Sequence, residues 1–473
     1  MKWEIVMGIE VHAELSTKSK IFCGCSTEFG GAPNTNVCPV CSGMPGALPV
    51  FNYAVLEYAI KLGLTLGCEI TRFSKFDRKN YFYPDLPKAY QISQLYSPIC
   101  TLGHLNIDGD GFSKSIGISE IHMEEDAGKL IHNLQTGNTL MNYNRCGVPL
   151  LEIVSQPDFR SAGEVIAYLE KLREILLYLD ICDCKMQEGS IRADVNISVR
   201  PFGGQLGVRT EMKNLNSFKE ISRAIEYESN RQIEILESGG EIEQETRRWD
   251  DAVGMSVGMR SKENAQDYRY FPEPDLLPLQ VDESLIKKIG ANLPELAHQK
   301  CERYIAQFGL TKYDATLITK YKNITILFES VAHLSGEPVE AANLITGELM
   351  RLMNKTGTQP EDLKIDSQKL ADLIALVTGG KINRTAYKET VEAVYLSDVE
   401  PNAYIEEKGL LMLADTDIVT SAVKSVLEGN PDAIEDYKKG KEKAFGFLMG
   451  QVMKELRGAG DPKTIKDVLE KLL

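Results

Sequence analysis

Residues 8–15 read GIEVHAEL, and this stretch shows the strict alternation of a half-buried β-strand. Its apolar positions fall on one face of the predicted strand: Ile9, Val11, Ala13 and Leu15. Its titratable positions fall on the other: Glu10, His12 and Glu14. A strand that sets acids and a histidine against an apolar face predicts a sheet with a core on one side and a polar site on the other.

Further strands and helices follow without regular alternation along the first 293 residues. IGISEIHMEED (116–126) and IRADVNISVR (191–200) have the pattern of strands. Capping boxes begin two helices, one at Ser161 with Glu164 and one at Ser217 with Glu220. This irregular order favours an α+β fold with an antiparallel sheet over a doubly wound fold.

The composition changes near residue 294, where helix-forming residues begin to dominate. We therefore predict a domain at 1–293, an all-α domain at 294–405 and a helical tail domain at 406–473. In the tail, Asp461 caps a helix that has Pro462 at its first position.

The charge balance argues against a general nucleic-acid coat but is compatible with RNA binding by one local basic surface. The 473 residues carry a formal net charge of −15. From residue 437 onward the sequence contains nine Lys and Arg but only five Asp and Glu. One of these basic residues is Arg457. A solvated helical face would give the same local excess of positive charge.

The sequence predicts a cytoplasmic protein. No apolar run approaches the roughly 18 residues of a membrane span, and the first residues, MKWEIVMGIEVH, lack the pattern of a signal peptide. In the cytoplasm thiols stay reduced, so clustered cysteines indicate a metal before they indicate disulfides.

Residues 23–41 form such a cluster, with the spacing C-x-C, twelve residues, then C-x-x-C. Four thiolates, from Cys23, Cys25, Cys38 and Cys41, suit tetrahedral zinc and leave no open position for water. They therefore predict a structural zinc knuckle rather than a catalytic metal.

A zinc-dependent nucleobase deaminase is an alternative, because such enzymes combine H-x-E with P-C-x-x-C. His12 and Glu14 precede Cys38 and Cys41 here. However, Val37 replaces the proline, and two cysteines would have no role. A non-catalytic RNA-binding protein stabilised by zinc is a second alternative.

The sequence contains no Walker A loop, no G-x-G-x-x-G and no G-x-S-x-G elbow. If the protein uses a nucleotide, carboxylate-held Mg²⁺ is the usual substitute for a phosphate loop. The candidate ligands lie on predicted strands: Glu10, His12, Glu14, Glu120, His122, Glu124, Glu125, Asp126, Glu152 and Glu211. Arg78 and Lys79, beside Tyr81 and two prolines, suit phosphate and base contacts.

The chain resembles the B-subunit family of the aspartyl/glutamyl-tRNA amidotransferase in long motifs that follow in order to the C-terminus. These motifs are GIEVHAEL, FDRKNYFYPDLPKAYQISQ, HMEEDAGK, NRCGVPLLEIVSQPD, KMQEGSIRADVNIS, EMKNLNS, QETRRWD, DYRYFPEPDLLP and GKEKAFGFLMGQVMK. Some members of the family have a four-cysteine knuckle and others do not.

The resemblance implies a cradle domain similar to glutamine synthetase and guanidino kinases, followed by a helical domain and a tail that binds tRNA. It also implies a reaction. ATP phosphorylates the side chain of Glu on tRNA(Gln) or of Asp on tRNA(Asn), and ammonia from an amidase A subunit then forms the amide. A small C subunit completes the heterotrimer. The resemblance is compatible with Glu-tRNA(Gln), Asp-tRNA(Asn) or both as substrates.

The resemblance further implies the site residues. Those expected around Mg²⁺ in the catalytic site are Glu10, His12, Glu124, Glu125 and Glu152, and those expected to bind ATP are Lys79, Tyr81, Ser190, Asp194 and Glu211. His12 is the least certain ligand on chemical grounds, because imidazole prefers softer metals than Mg²⁺.

Overall fold

The computed structural model describes residues 2–133, 135–261, 268–412, 416–456 and 460–473. Arg457 of the predicted basic tail and Asp267, the first residue of DYRYFPEPDLLP, lie outside these ranges. The chain divides into two units, Met1–Leu296 and Ala297–Leu473. The first is built on a sheet and the second on helices.

The first unit contains the strands of the described chain. They are β1 (Trp3–Glu14), β2 (Glu69–Ile70), β3 (Phe73–Ser74), β4 (Asp77–Asn80), β5 (Tyr90–Ser93), β6 (Cys100–Gly109), β7 (Phe112–Glu125), β8 (Lys129–His132), β9 (Thr139–Asn142), β10 (Pro149–Ser155), β11 (Ile191–Pro201), β12 (Thr210–Lys213), β13 (Glu245–Asp250), β14 (Met255–Ser261), β15 (Phe271–Pro272) and β16 (Leu279–Gln280).

Nine of these strands form one sheet within the described residues, in the order β14-β13-β12-β11-β1-β10-β7-β6-β2. All neighbours are antiparallel except β12 and β13, which run parallel. The predicted first strand lies at the centre of the sheet, between β10 and β11. Three small sheets accompany it: β15-β4-β5, β16-β3 and β8-β9.

The alternation predicted for β1 is present in the structure. Ile9, Val11 and Ala13 are fully buried in the main core of the unit, together with inward-facing residues of β7, β10 and β11. Glu10, His12 and Glu14 point to the other face and are half-buried. The sheet therefore has one apolar face, which carries the core, and one polar face.

Helices cover the apolar face of the sheet. Those of the first unit are α1 (Tyr53–Thr65), α2 (Ala162–Tyr178), α3 (Phe218–Glu237) and α4 (Glu283–Ala291). Ser161 and Ser217 accept hydrogen bonds from the backbone N–H groups of Glu164 and Glu220, so both predicted capping boxes begin helices. α2 packs on β6 and α3 on β11.

The second unit is helical throughout its described residues. Its helices are α5 (Ala297–Phe308), α6 (Lys312–Thr319), α7 (Lys322–Ser335), α8 (Pro338–Asn343), a π-helical turn (Leu344–Leu349), α9 (Met350–Thr356), a 3₁₀ turn (Pro360–Asp362), α10 (Ser367–Thr378), α11 (Arg384–Ser397), α12 (Pro401–Lys408), α13 (Thr416–Gly429), α14 (Pro431–Lys438), α15 (Glu442–Glu455) and α16 (Pro462–Leu472). Asp461 caps α16 as predicted, by accepting from the backbone N–H of Thr464.

Two separate apolar clusters stabilise this unit. One runs from Tyr304 to Ile405 and the other from Val419 to Leu469. Each cluster lies within one of the two predicted helical domains, 294–405 and 406–473. The boundary at 405/406 stays a prediction. No helix in the described part of the chain is long and apolar enough to cross a membrane.

The α+β prediction with a mainly antiparallel sheet and a helical C-terminal part is confirmed. The similarity of the first domain to glutamine synthetase and guanidino kinases stays a prediction.

Candidate active site

The register of the central strands brings the predicted acids together on the polar face. His12 of β1 lies opposite Glu152 of β10 and opposite Arg192 of β11. Glu152 in turn lies opposite His122 of β7. Because paired residues point to the same face of a sheet, three neighbouring strands place their titratable side chains side by side.

His12, Glu124 and Glu152 form the first group of possible metal ligands, with one ligand atom from each lying within 4.8 Å of the others. Nε2 of His12 is 3.4 Å from Glu152 and 3.8 Å from Glu124. Nε2 of His122 approaches Glu152 from the other side at 2.9 Å. Glu124 is buried and accepts a hydrogen bond from the Ser93 hydroxyl at 3.2 Å.

Glu10, Asp194 and Glu211 form a second group, also within 4.8 Å of one another. It occupies β1, β11 and β12 on the same face, because Glu10 lies opposite Asp194 and Glu211 opposite Asn196. Lys213 donates to Asp194 at 2.5 Å and lies 3.4 Å from Glu211. The two groups are therefore neighbours, separated along β1 only by the step from Glu10 to His12.

The electrostatics of the two groups are those of crowded, desolvated carboxylates. Burial, and then the charge of Glu152, raises the pKa of Glu10 and of Glu124. Burial alone would also raise the pKa of Glu152, but His122 and His12 hold it well below its ordinary value. Burial opposes protonation of His122, yet Glu152 and its neighbours raise the pKa of this histidine to about 9.

Such crowding of acids is costly unless cations neutralise it. The ligand oxygens of one Mg²⁺ ion lie at most about 4.1 Å apart at its usual bond length, and the ligand atoms of each group lie within 4.8 Å of one another. The carboxylates of both groups therefore fit divalent cations. In the first group the imidazole of His12 would have to act as a ligand or contact a coordinated water.

Lys79, on β4, adds a cation beside the first group. Burial lowers the pKa of its ammonium, but Tyr270, Glu124 and Glu152 outweigh that effect and raise it above its ordinary value. The ammonium also lies over the rings of Tyr81 and Tyr268, 5.8 and 5.0 Å from their centroids. Lys79 is thus a cation held at the edge of the carboxylates, where a phosphate would need one.

Arg78 has a different environment from the one predicted. Its guanidinium forms two hydrogen bonds with the buried carboxylate of Glu273, at 2.6 and 2.9 Å, and lies 4.2 Å from the ring centre of Tyr90. It joins the aromatic-rich segments 76–94 and 268–278, which contain β4, β5 and β15. Of the predicted pair Arg78 and Lys79, only Lys79 faces the acids.

Glu125 is not brought into either group. It follows Glu124 on β7, so its side chain points to the opposite face. There its buried carboxylate pairs with Lys88 and accepts from the backbone N–H of Ile92 at 2.8 Å. The structure thus separates two adjacent acids that the family resemblance had placed at one site.

Ser190 also lies apart from both groups. Its hydroxyl donates to Asp183, and its carbonyl accepts from the backbone N–H of Glu14. Ser190 lines a small acidic cavity of about 130 Å³ with Glu14, Asp183 and Glu188. Burial and then Asp126 raise the pKa of Glu14 to about 9.

The four predicted cysteines form one cluster, with their Sγ atoms within 4.8 Å of one another. Cys38 and Cys41 are 3.9 Å apart, and tetrahedral zinc with bonds of about 2.3 Å sets sulfurs about 3.8 Å apart. Lys20 lies 3.6 Å from the Cys41 sulfur. Hydrogen bonding from Cys23, aided by Lys20, lowers the pKa of Cys41 to about 4. The cluster is compatible with structural zinc.

The geometry disfavours the deaminase pattern. That pattern needs one histidine and two cysteines on the same metal, whereas His12 belongs to the group with Glu124 and Glu152 and all four cysteines belong together.

The structure brings three further residues to the carboxylates: His122, Asn196 and Lys213. The sequence named His122 as a candidate ligand, and strand alternation gives it the same face as Glu124, but it was not among the residues expected around Mg²⁺. Asn196 and Lys213 depend on the pairing of β11 with its neighbours, and no local pattern shows that pairing.

Comparison with known proteins agrees with this architecture. Residues 5–287 match the family model described as the GatB/GatE catalytic domain, and residues 326–473 match the GatB domain. The chain belongs to the family of B subunits of tRNA-dependent Asp/Glu amidotransferases.

Curated relatives are similar over the whole chain. The B subunit of the aspartyl/glutamyl-tRNA(Asn/Gln) amidotransferase from Lachnoclostridium phytofermentans is 56% identical over 472 residues, covering 100% of this chain and 99% of the relative. The B subunit of the same amidotransferase from Caldicellulosiruptor bescii is 54% identical over 477 residues, with coverage of 100% and 99%.

Proposed function

We propose that this subunit phosphorylates the side-chain carboxylate of Glu on tRNA(Gln), or of Asp on tRNA(Asn), with ATP, and that ammonia then converts the acyl phosphate to the amide. In the first step a carboxylate oxygen attacks the γ-phosphorus and ADP leaves. In the second step ammonia attacks the acyl carbon and phosphate leaves, which yields Gln-tRNA(Gln) or Asn-tRNA(Asn).

The observation that carries the proposal is the pair of acidic groups on neighbouring strands of one sheet face. Phosphoryl transfer needs alignment and charge neutralisation more than a protein nucleophile. When bound, Mg²⁺ held by these carboxylates would supply the positive charge that the triphosphate requires. Glu152, Glu124 and His12 would hold one ion, and Glu10, Asp194 and Glu211 the other.

The protein groups around the acids have complementary tasks in this proposal. His122 and His12 keep Glu152 ionised, so that it remains a ligand while substrates enter. Lys79 offers its ammonium to a phosphate at the edge of the first group. Lys213 fixes Asp194 beside Glu211 and limits the repulsion between them.

Family membership supports our proposal for the partners. Ammonia would come from glutamine in an amidase A subunit, with a small C subunit in the same complex and the tail domain on the tRNA. The relatives are named for both Asp- and Glu-tRNA, and we propose both as substrates.

Tyr81, which lies beside Lys79, would help to bind ATP. Ser190 and Glu125 lie outside both acidic groups, so the proposal assigns neither residue to a Mg²⁺ ion.

The test uses the purified three-subunit complex with each mischarged tRNA, ATP, Mg²⁺ and glutamine. We expect ADP and amidated tRNA in equal amounts. Glu152→Gln should lower the rate at least about 100-fold, as loss of a key electrostatic contact in a transition state commonly does.

Glu120→Gln is the matched control. Glu120 lies on the same strand and face as His122 and Glu124, but its side chain is 36% exposed and it is in neither group. It should keep activity within about threefold of the wild type. Near-normal turnover by Glu152→Gln would refute the site. Ammonia release from a nucleobase without ATP would favour a deaminase, and tRNA binding without ATP turnover would favour a non-catalytic RNA-binding protein.

A further inference from the structure

Lys20 is one of the largest fully buried side chains among the described residues, and it lies between the end of β1 and the first cysteine of the metal cluster. A lysine is almost never fully buried unless its charge is paired, because moving an ammonium out of water is costly. Among the described residues no acid pairs with Lys20, and Glu125, which lines the same cavity, pairs with Lys88. The negative partner of Lys20 must therefore be another kind of group.

The contacts of the Lys20 ammonium identify that group as a sulfur. Nζ donates to the backbone carbonyl of Asn36 at 2.7 Å and to the backbone carbonyl of Tyr143 at 3.3 Å. Its third contact is Sγ of Cys41, at 3.6 Å. An ammonium has three donors, so these three contacts use all of them, and only the thiolate among the three acceptors can carry a full negative charge.

The four-cysteine cluster becomes anionic when it holds zinc. Its thiolates bring four negative charges, which exceed the two positive charges of Zn²⁺. Of the four cysteines only Cys41 is buried, so its thiolate is the one that water stabilises least. A hydrogen bond from Lys20 would offset part of the excess charge and fix the orientation of the sulfur, as partners beyond the direct ligands of a metal commonly do.

A purely structural role for Lys20 is the alternative. Asn36 lies between the two cysteine pairs and Tyr143 between β9 and β10, so the two carbonyl contacts join the cysteine segment to the sheet. The side chain of Asn34 already joins these parts, because it accepts from the backbone N–H of Tyr143 at 2.7 Å. The contact with Cys41 is the one that a purely structural lysine would not need, and it distinguishes the two roles.

We propose that Lys20 is a positioning residue of the metal cluster. Its ammonium donates to the thiolate of Cys41, offsets the negative charge of the zinc-loaded cluster and raises the affinity of the cluster for zinc. The direct ligands remain the four cysteines. The proposal goes beyond the proposed phosphoryl transfer and does not depend on it, because zinc alone is the ligand in its test.

The test measures the Kd for zinc of the full three-subunit complex, by competition with a chromophoric chelator at neutral pH. Lys20→Met removes the ammonium and keeps an unbranched apolar chain in the buried position. We expect it to raise the Kd at least tenfold, because loss of a partner behind a metal ligand typically costs about 10–100-fold in affinity. Lys18→Met is the matched control, since Lys18 is an exposed lysine of the same segment, and it should change the Kd less than twofold.

Two further measurements separate the proposed role from a structural one. With Co²⁺ in place of zinc, the sulfur-to-cobalt charge-transfer band should move to lower energy in Lys20→Met, because a thiolate that loses a hydrogen bond gives up electrons more easily. Zinc should also raise the thermal unfolding midpoint less in Lys20→Met than in the wild type, since weaker binding stabilises the folded state less.

Lys20→Gln carries the test if Lys20→Met does not fold, because its amide can still donate to the carbonyls of Asn36 and Tyr143 but has no charge. It should raise the Kd for zinc at least threefold. An unchanged Kd and an unchanged cobalt band in a folded variant would overturn the proposal. An equal effect of zinc on the unfolding midpoints of Lys20→Met and wild type would show a purely structural lysine, and a wild-type complex that binds no zinc would overturn the proposal as well.

Discussion

At the scale of single residues, Glu228 shows how the fold tolerates a buried charge. Its side chain on α3 is fully buried, and Arg231, Gln232 and Thr210 donate to its carboxylate at 2.7–3.0 Å. Ser256 of β14 donates to it at 3.0 Å. Burial alone would raise the pKa of Glu228, but these donors lower it below its ordinary value. The carboxylate thus joins α3 to two strands at the outer part of the sheet.

We expect Glu228→Gln to destabilise the first unit by about 3 kcal/mol at neutral pH, because one acceptor oxygen becomes a donor facing buried donors. Both tryptophans, Trp3 and Trp249, lie in this unit, so urea unfolding followed by their fluorescence reports it. Glu226→Gln, on an exposed position of the same helix, is the control and should change stability by less than about 0.5 kcal/mol.

The pH dependence of this difference has a definite sign. A carboxyl group with a lowered folded pKa contributes its stability fully above its unfolded pKa, about 4.3 for Glu. That contribution is lost as the pH falls through the lower folded value. The difference in free energy of unfolding between wild type and Glu228→Gln should therefore be constant from pH 7 to about 5 and should shrink below about pH 4. A urea midpoint of Glu228→Gln equal to that of the wild type at pH 7 would contradict the role assigned to Glu228.

At the scale of elements, the cysteine segment 23–41, in the loop between β1 and α1, buries no side chain except that of Cys41. Of its four cysteines only Cys41 is buried. Polar contacts attach it to the sheet. The Lys20 ammonium donates to the carbonyl of Asn36 at 2.7 Å, and the backbone N–H of Ile21 donates to the carbonyl of Gly147 at 2.9 Å. A metal at the four sulfurs would supply the cross-link that such a loop lacks.

We expect Cys23→Ser to lose the zinc, one ion per chain in the wild type, and to lower the unfolding midpoint of the first unit by about 5 °C or more. Activity should fall through a less stable first strand, with no change in the reaction. Metal analysis and tryptophan fluorescence measure the two effects. Cys301→Ser, in the second unit and outside the cluster, should change neither. Wild-type protein without zinc would refute this role of the loop.

At the scale of the whole molecule, the chain consists of two units with separate cores. The two acidic groups lie wholly within the first. The lysines from residue 437 onward in the described tail are exposed, and several pair with acids one helical turn or less away, such as Lys439 with Glu435 and Lys466 with Glu470. The others are available for phosphate contacts.

We expect a fragment of residues 1–296 to fold, to keep the tryptophan emission of the full chain and to bind ADP with Mg²⁺ within about twofold of it. Its affinity for tRNA should fall at least tenfold, and the dependence of that affinity on salt should weaken, because the phosphate contacts of the tail are gone. Filter binding at two salt concentrations measures both quantities. Full tRNA affinity in the fragment would show that the tail is not the tRNA-binding part.

Local patterns in the sequence predict the elements of this fold better than its site. Alternation gives β1, β7 and β11, and the capping serines give the first residues of α2 and α3. The two acidic groups depend instead on the pairing of β1 with strands about 140–190 residues later in the chain. Alternation alone separates Glu124 from Glu125, but the contact of Glu125 with Lys88 could not be read from any local pattern.

The central position of β1 has a consequence for how the protein is made. It is synthesised before both strands that flank it, because its partners Glu152 and Asp194 belong to strands about 140–190 residues later in the chain. At about 5–20 residues per second, β1 waits roughly 10–40 s with Ile9 and Val11 exposed to water. The nascent chain should therefore need a chaperone on this segment until translation has passed β11, and slow translation would lengthen the period in which it can aggregate.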